Sequence, residues 1–240
     1  GGELALSAHP AELGGRPVWK FELSAVSNDF LSKFFLVRDY MVSWVDPRNF
    51  RTTRFEKHTV EGKRVRDELT EFDYESGTAK VDGATRPLQE AWLDTLSSVY
   101  YLRTLPLDAD KPAVLSVFSG ETHTLTVEVQ ARERIATPAG SFATVRVEPK
   151  STGASLIGKG KNLVLWLTDD ERRIPVQIKT KLKELEGIGV EVEQPTQPSH
   201  GRMDGVPGLG EHLQRHRLAR ARGARHKPVA AGHLRQQPQL

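Results

Sequence analysis

Along most of this 240-residue chain, apolar and polar side chains alternate with a period of two. Trp19, Phe21, Leu23 and Ala25 fall on one side of a stretch whose other side is Lys20, Glu22 and Ser24, the pattern of a strand with one face in a core. Leu4 and Leu6 already alternate where the chain begins. Asn28 to Ser32 breaks the pattern as a short helical turn. Residues 34–45 then resume as a long, nearly continuous apolar strand that Asp46 and Pro47 end. Residues 50–60 and 63–74 form the arms of a hairpin around Glu61 and Gly62, with further turns at Ser76-Gly77 and Asp82-Gly83. Strands follow over 114–118, 121–132, 142–149, 163–167 and 174–182, with a type I turn at Thr137-Pro138-Ala139-Gly140. Short strands with frequent turns predict an all-β fold, a single curled antiparallel sheet or open β-barrel. The absence of a βαβ rhythm argues against a doubly wound nucleotide-binding fold.

One stretch has a different period. Leu96, Val99, Tyr100 and Arg103 recur at the spacing of one helical face and predict a helix over about 94–104. Asp94 caps it by accepting from the amides near Leu96 and Ser97, Arg103 suits the last turn, and Pro106 stops it. A helix this short is marginal alone in water, so it must pack on the sheet.

Composition divides the chain in two. Residues 195–240 hold eight of the 34 basic residues and two of the 31 acidic ones, so the +3 net charge belongs to the tail and the body is mildly acidic. From residue 193 the sequence is rich in Arg, Gly, Pro, His and Gln and has no Trp, Tyr, Phe or Ile. It is expected to be disordered, because it cannot bury enough surface to offset ordering entropy. It also reads as a shifted frame of GC-rich DNA. The division expected is a β domain at 1–192 and a disordered basic tail at 193–240. No apolar run is long enough for a membrane-spanning helix, and no cysteine is present, which excludes disulfides and thiolate chemistry. The start, Gly1-Gly2 without an initiator Met or signal peptide, reads as processed or excerpted.

Motifs that carry chemistry are weak here. Gly153 to Lys159 fits half a P-loop, but Gly160 stands where a Mg²⁺-binding Ser or Thr belongs and a strand follows instead of a helix. His212 and His216 are spaced for a metal on a helix that the tail does not support, so no metal site is assigned. The 215–227 run is basic without interleaved aromatics, which excludes specific nucleic-acid readout. Asp169, Asp170 and Glu171 read as a polar turn balanced by Arg172 and Arg173, and His123 as a core or rim histidine on the apolar face of its strand. No catalytic triad, H-E-x-x-H or G-x-S-x-G occurs, so the chain is read as a non-enzyme without a cofactor. One constellation remains. Trp44, Tyr100, Tyr101, Arg103 and Trp166 would line a groove between helix and sheet, the rings and one guanidinium holding an acyl or other hydrophobic group.

Three stretches, Asp94-Thr-Leu-Ser-Ser-Val-Tyr-Tyr-Leu-Arg103, Thr137-Pro-Ala-Gly-Ser-Phe142 and Leu165-Trp-Leu-Thr-Asp-Asp-Glu-Arg-Arg-Ile-Pro-Val176, occur in order. With the region 21–44, they resemble the exported bacterial proteins grouped as domain of unknown function 3108, over residues 4–183. The resemblance implies a periplasmic or cell-envelope protein with a curled antiparallel β fold, and it brings no catalytic residues. The function expected is that of a monomeric, non-catalytic envelope protein binding or carrying a hydrophobic, lipid-like ligand. The alternative is an envelope interaction or structural module that docks a partner protein by a sheet face or edge.

Overall fold

The structure is a computed structural model and describes residues 2–27, 29–33, 36–137, 140–151, 161–182 and 190–193. The alternating segments form strands. The first half of the chain gives β1 (Gly2–Leu13), β2 (Arg16–Ser27), β3 (Val37–Val45), β4 (Thr52–Glu61), β5 (Arg64–Asp73), β6 (Thr78–Val81) and β7 (Ala84–Pro87). The one-turn helix α1 (Asp29–Ser32) joins β2 to β3. The second half gives β8 (Leu93–Asp94), helix α2 (Thr95–Leu102), β9 (Ala113–Phe118), β10 (Thr122–Thr137), β11 (Gly140–Ser151), β12 (Lys161–Thr168), β13 (Pro175–Leu182) and β14 (Val190–Glu193). The turn expected at Pro138 and Ala139, the 153–159 loop and the whole 194–240 tail, with His212, His216 and the basic 215–227 run, lie outside the described residues.

The fourteen strands join one sheet in the order β7-β6-β5-β4-β3-β2-β1-β14-β13-β12-β11-β10-β9-β8. Each half of the chain is an antiparallel meander, and the halves meet where β1 runs parallel to β14, Gly2 opposite Val192 and Glu3 opposite Glu193. The expected all-β, curled antiparallel sheet with one helix packed on it is what forms. Two short parallel pairs, β1/β14 and β8/β9, were not legible in the alternation. The strand expected over 34–45 begins at Val37 and alternates instead of running apolar. Its Met41, Ser43 and Val45 share one face, and Tyr40, Val42 and Trp44 share the other.

The sheet curls as a half-barrel around α2. Its concave face brings Trp19, Phe21, Val45 and Phe55 from one half and Leu125, Val145, Leu165 and Leu167 from the other against Leu96, Tyr100, Tyr101 and Leu102 in one cluster. A helix inside a curved wall meets apolar surface on several sides. Leu96, Ser97, Ser98, Tyr100, Tyr101 and Leu102 are all buried, which corrects the expectation of a single packed face. Near the sheet's two edges the chain over 88–92 bridges the gap. The Thr52 amide donates to the Trp92 carbonyl at 3.1 Å. Phe72 meets Phe118 edge to face at 5.7 Å, and Ala79, Leu88, Ala91 and Phe118 form a second, smaller core there.

Candidate functional site

Helix α2 is fastened at its N-terminus by a buried polar network. Asp94 is the N-cap, as its position before the periodic stretch predicts, and its carboxylate accepts from the Leu96 amide at 2.7 Å and the Ser97 amide at 3.0 Å. The Ser97 hydroxyl accepts from the Asp94 amide at 2.9 Å and so closes a capping box. The sheet supplies the rest. Ser43 Oγ of β3 and Thr52 Oγ1 of β4 each donate to the Asp94 carboxylate at 2.7 Å. Asp94 is 0% exposed, so its charge is held by oriented dipoles of hydroxyls and amides with the helix N-terminus behind them. Tyr74 extends the network by donating to the Thr52 carbonyl at 2.8 Å and lying close to Trp92. Burial, helped by the nearby Asp94 charge, pushes the Tyr74 phenol well above its ordinary range.

The five residues expected to share one groove are divided by the sheet. Tyr100 stacks on Phe21 with ring centroids 4.0 Å apart and planes 7° apart. Its hydroxyl donates to the Ser7 carbonyl at 2.7 Å. Burial raises this phenol too. Tyr101 packs between Phe50, at 5.3 Å, and Trp92, at 4.4 Å and nearly perpendicular. Arg103 is the C-cap residue, just past the last turn; its Nε and one terminal nitrogen donate to the Arg172 carbonyl at 3.2 and 2.9 Å. Burial moves its guanidinium below the ordinary arginine range. These three therefore join helix to sheet and to the β12–β13 turn.

Trp44 and Trp166 point the other way. Each neighbours an inward residue, Val45 or Leu165, and alternation turns the indole to the convex face. There Arg54 lies over the Trp44 ring at 5.5 Å and Lys179 over the Trp166 ring at 5.3 Å, while the Trp166 indole donates to Glu133 at 2.8 Å. A single groove built from all five residues does not exist.

What the concave face does present is an apolar strip beyond the helix. Moving away from the Arg103 end, exposure rises strand by strand: Phe21 is buried and Leu23 half-buried, Leu165 is buried and Leu163 half-buried, Ser43 is buried and Met41 half-buried. Leu6 of β1, opposite Leu23, belongs to the same strip. Lys57 of β4, opposite Met41, stands at its border. These residues were readable as inward strand positions, but nothing in the alternation said where the helix would stop covering them.

The other candidates resolve as structure. The Asp170 carboxylate accepts from the Arg172 and Arg173 amides, both at 3.1 Å, and from Thr168 Oγ1 at 2.6 Å, and Asp169 pairs with Arg132 and Arg173. This is the expected polar turn. His123 is 5% exposed on the inner side of β10, as expected of a core histidine. Ser43 and Thr52 were missed altogether, since a small hydroxyl on a strand carries no signal until its buried partner is known. Among the described residues no cluster of His, Asp and Glu is arranged to hold a metal ion, and no helix is long and apolar enough to cross a membrane.

Comparison with known proteins agrees with the motifs. The family model described as Protein of unknown function (DUF3108) matches residues 2–186, and the chain belongs to this family. No curated protein and no solved structure matches it.

Proposed function

We propose that this DUF3108 protein is a non-catalytic carrier that holds the acyl part of a lipid-like ligand on the far end of its concave sheet face. The supporting observation is the half-buried strip of Leu6, Leu23, Met41 and Leu163, which borders the main core on the concave face. Water-exposed apolar surface gathered on one concave wall favours occupation by a hydrophobic group. The buried polar groups favour a non-catalytic reading, since the Asp94 oxygens are taken up in holding α2 to β3 and β4. We place the protein in the periplasm or cell envelope, as the family resemblance implies.

The test is native mass spectrometry of the full chain expressed to the periplasm, followed by organic extraction. An acyl species should co-purify, be lost from Leu23→Glu and persist in Trp44→Ala, whose indole is on the convex face. A ligand-free native chain would overturn the proposal, as would retention by Leu23→Glu.

A further inference from the structure

We propose that the edge of β9 left unpaired among the described residues binds an extended peptide as an added strand, with a carboxylate of that peptide seated on Arg51. β8 pairs with β9 at only two positions, Leu93 with Val117 and Asp94 with Phe118. Ahead of these the chain peels away. The Trp92 amide reaches the Ser116 carbonyl only at 3.5 Å, and Gln89 takes a left-handed backbone with φ of 49°, a conformation that side chains other than glycine's rarely adopt. The departure opens a cleft of roughly 620 Å³ between β9 and the loop that carries Arg51 and the residues around Tyr74.

The strand polarity of that edge follows from the ladder. The Ser116 carbonyl faces β8, so Ser116 and Val114, two residues apart, both turn their backbone groups away from β10. Val114 is 64% exposed, and its N–H and C=O with the N–H of Ser116 form a short docking ladder of the kind that recruits an extended chain. On the facing wall the Arg51 guanidinium lies 4.8 Å from the Tyr74 ring centroid. Among the described residues no carboxylate pairs with it. A guanidinium positioned by a ring, next to outward-facing backbone donors and an acceptor that pair with no other backbone group among the described residues, complements a strand that carries a negative group. Gln89, Glu90 and Thr124 make the remaining rim polar, which disfavours an acyl chain, and Glu90 disfavours a polyanion. The site is separate from the concave strip and does not depend on it.

The probe is an N-acetylated, fluorescein-labelled hexapeptide of alternating threonine and valine with a free C-terminal carboxylate, set against its C-terminal amide. Fluorescence anisotropy with the full chain should show saturable binding of the acid. Binding should weaken about tenfold for the amide and for Arg51→Gln alike, the worth of one charge-assisted contact. Val114→Pro, which removes the outward N–H at a position where an edge strand tolerates proline, should abolish it. Should that variant not fold, hydrogen exchange on the unaltered chain decides, with protection expected at the Val114 and Ser116 amides. No saturable binding of the acid, equal binding of acid and amide, or protection elsewhere would overturn the proposal.

Discussion

Asp94 offers the sharpest test of how helix and sheet are joined. Asp94→Ala removes the N-cap, which is worth about 1 kcal/mol. It also leaves the Ser43 hydroxyl, 0% exposed, without the acceptor it reaches at 2.7 Å, whereas the equally buried Thr52 hydroxyl keeps Ser97 Oγ at 2.9 Å. An orphaned buried hydroxyl costs about 1–3 kcal/mol. Together these give a loss of about 3 kcal/mol, a large share of the roughly 5–15 kcal/mol that holds a folded domain together. Urea unfolding followed by the fluorescence of the buried Trp19 and Trp92 should show the midpoint falling by about 1 M or more with the slope unchanged. Asp94→Asn, which keeps one acceptor oxygen, should lose about half as much. The network reading also requires coupling. Ser43→Ala should cost at least about 1 kcal/mol less in the Asp94→Ala background than in the native chain. A loss below about 1 kcal/mol for Asp94→Ala, or purely additive effects, would refute the reasoning.

Further predictions rest on other particular contacts. Phe50 is 1% exposed and holds φ at 59°, so Phe50→Ala should cost about 3 kcal/mol of packing against Phe21 and Tyr101. Phe50→Gly should be the milder change by about 1 kcal/mol, reversing the usual order because the left-handed backbone favours glycine; equal melting temperatures would contradict this. Burial raises the Tyr74 and Tyr100 phenols above the unfolded value of about 10. Their contribution is therefore complete below pH ~10 and is lost as pH rises through the folded values, so Tyr74→Phe and Tyr100→Phe should flatten the alkaline fall in stability measured by urea unfolding. Tyr40 is pushed up to about 12, chiefly by its 2.5 Å hydrogen bond to Glu22. Glu22→Gln should bring the Tyr40 step in an ultraviolet titration down towards 10.

Much of this fold was legible because a strand states its own faces. Trp19, Phe21, Leu23 and Ala25 announced β2, residues 50–74 announced the β4–β5 hairpin, and Asp94 announced the helix start, since each signal lies within a few residues. The family, too, was legible from three short motifs. The candidate groove was not. Trp44 and Trp166 suggested a binding wall by composition alone, whereas the parity set by their neighbours Val45 and Leu165 turns both outward once those neighbours are placed in the core.

Local pattern determined the strands, the turns, the capped helix and the all-β class, because periodicity and capping are properties of adjacent residues. Tertiary structure decided the rest: that β1 meets β14 in parallel across the whole chain, that Ser43 and Thr52 converge on Asp94 from 51 and 42 residues away, and that Arg51 faces the edge of β9. Those pairings depend on how far the sheet curls before its edges approach, and curvature is the sum of twist and bulges over fourteen strands, including the irregularities at Trp44 and Trp166. No stretch of sequence carries that sum, so the site it creates is visible only in the folded molecule.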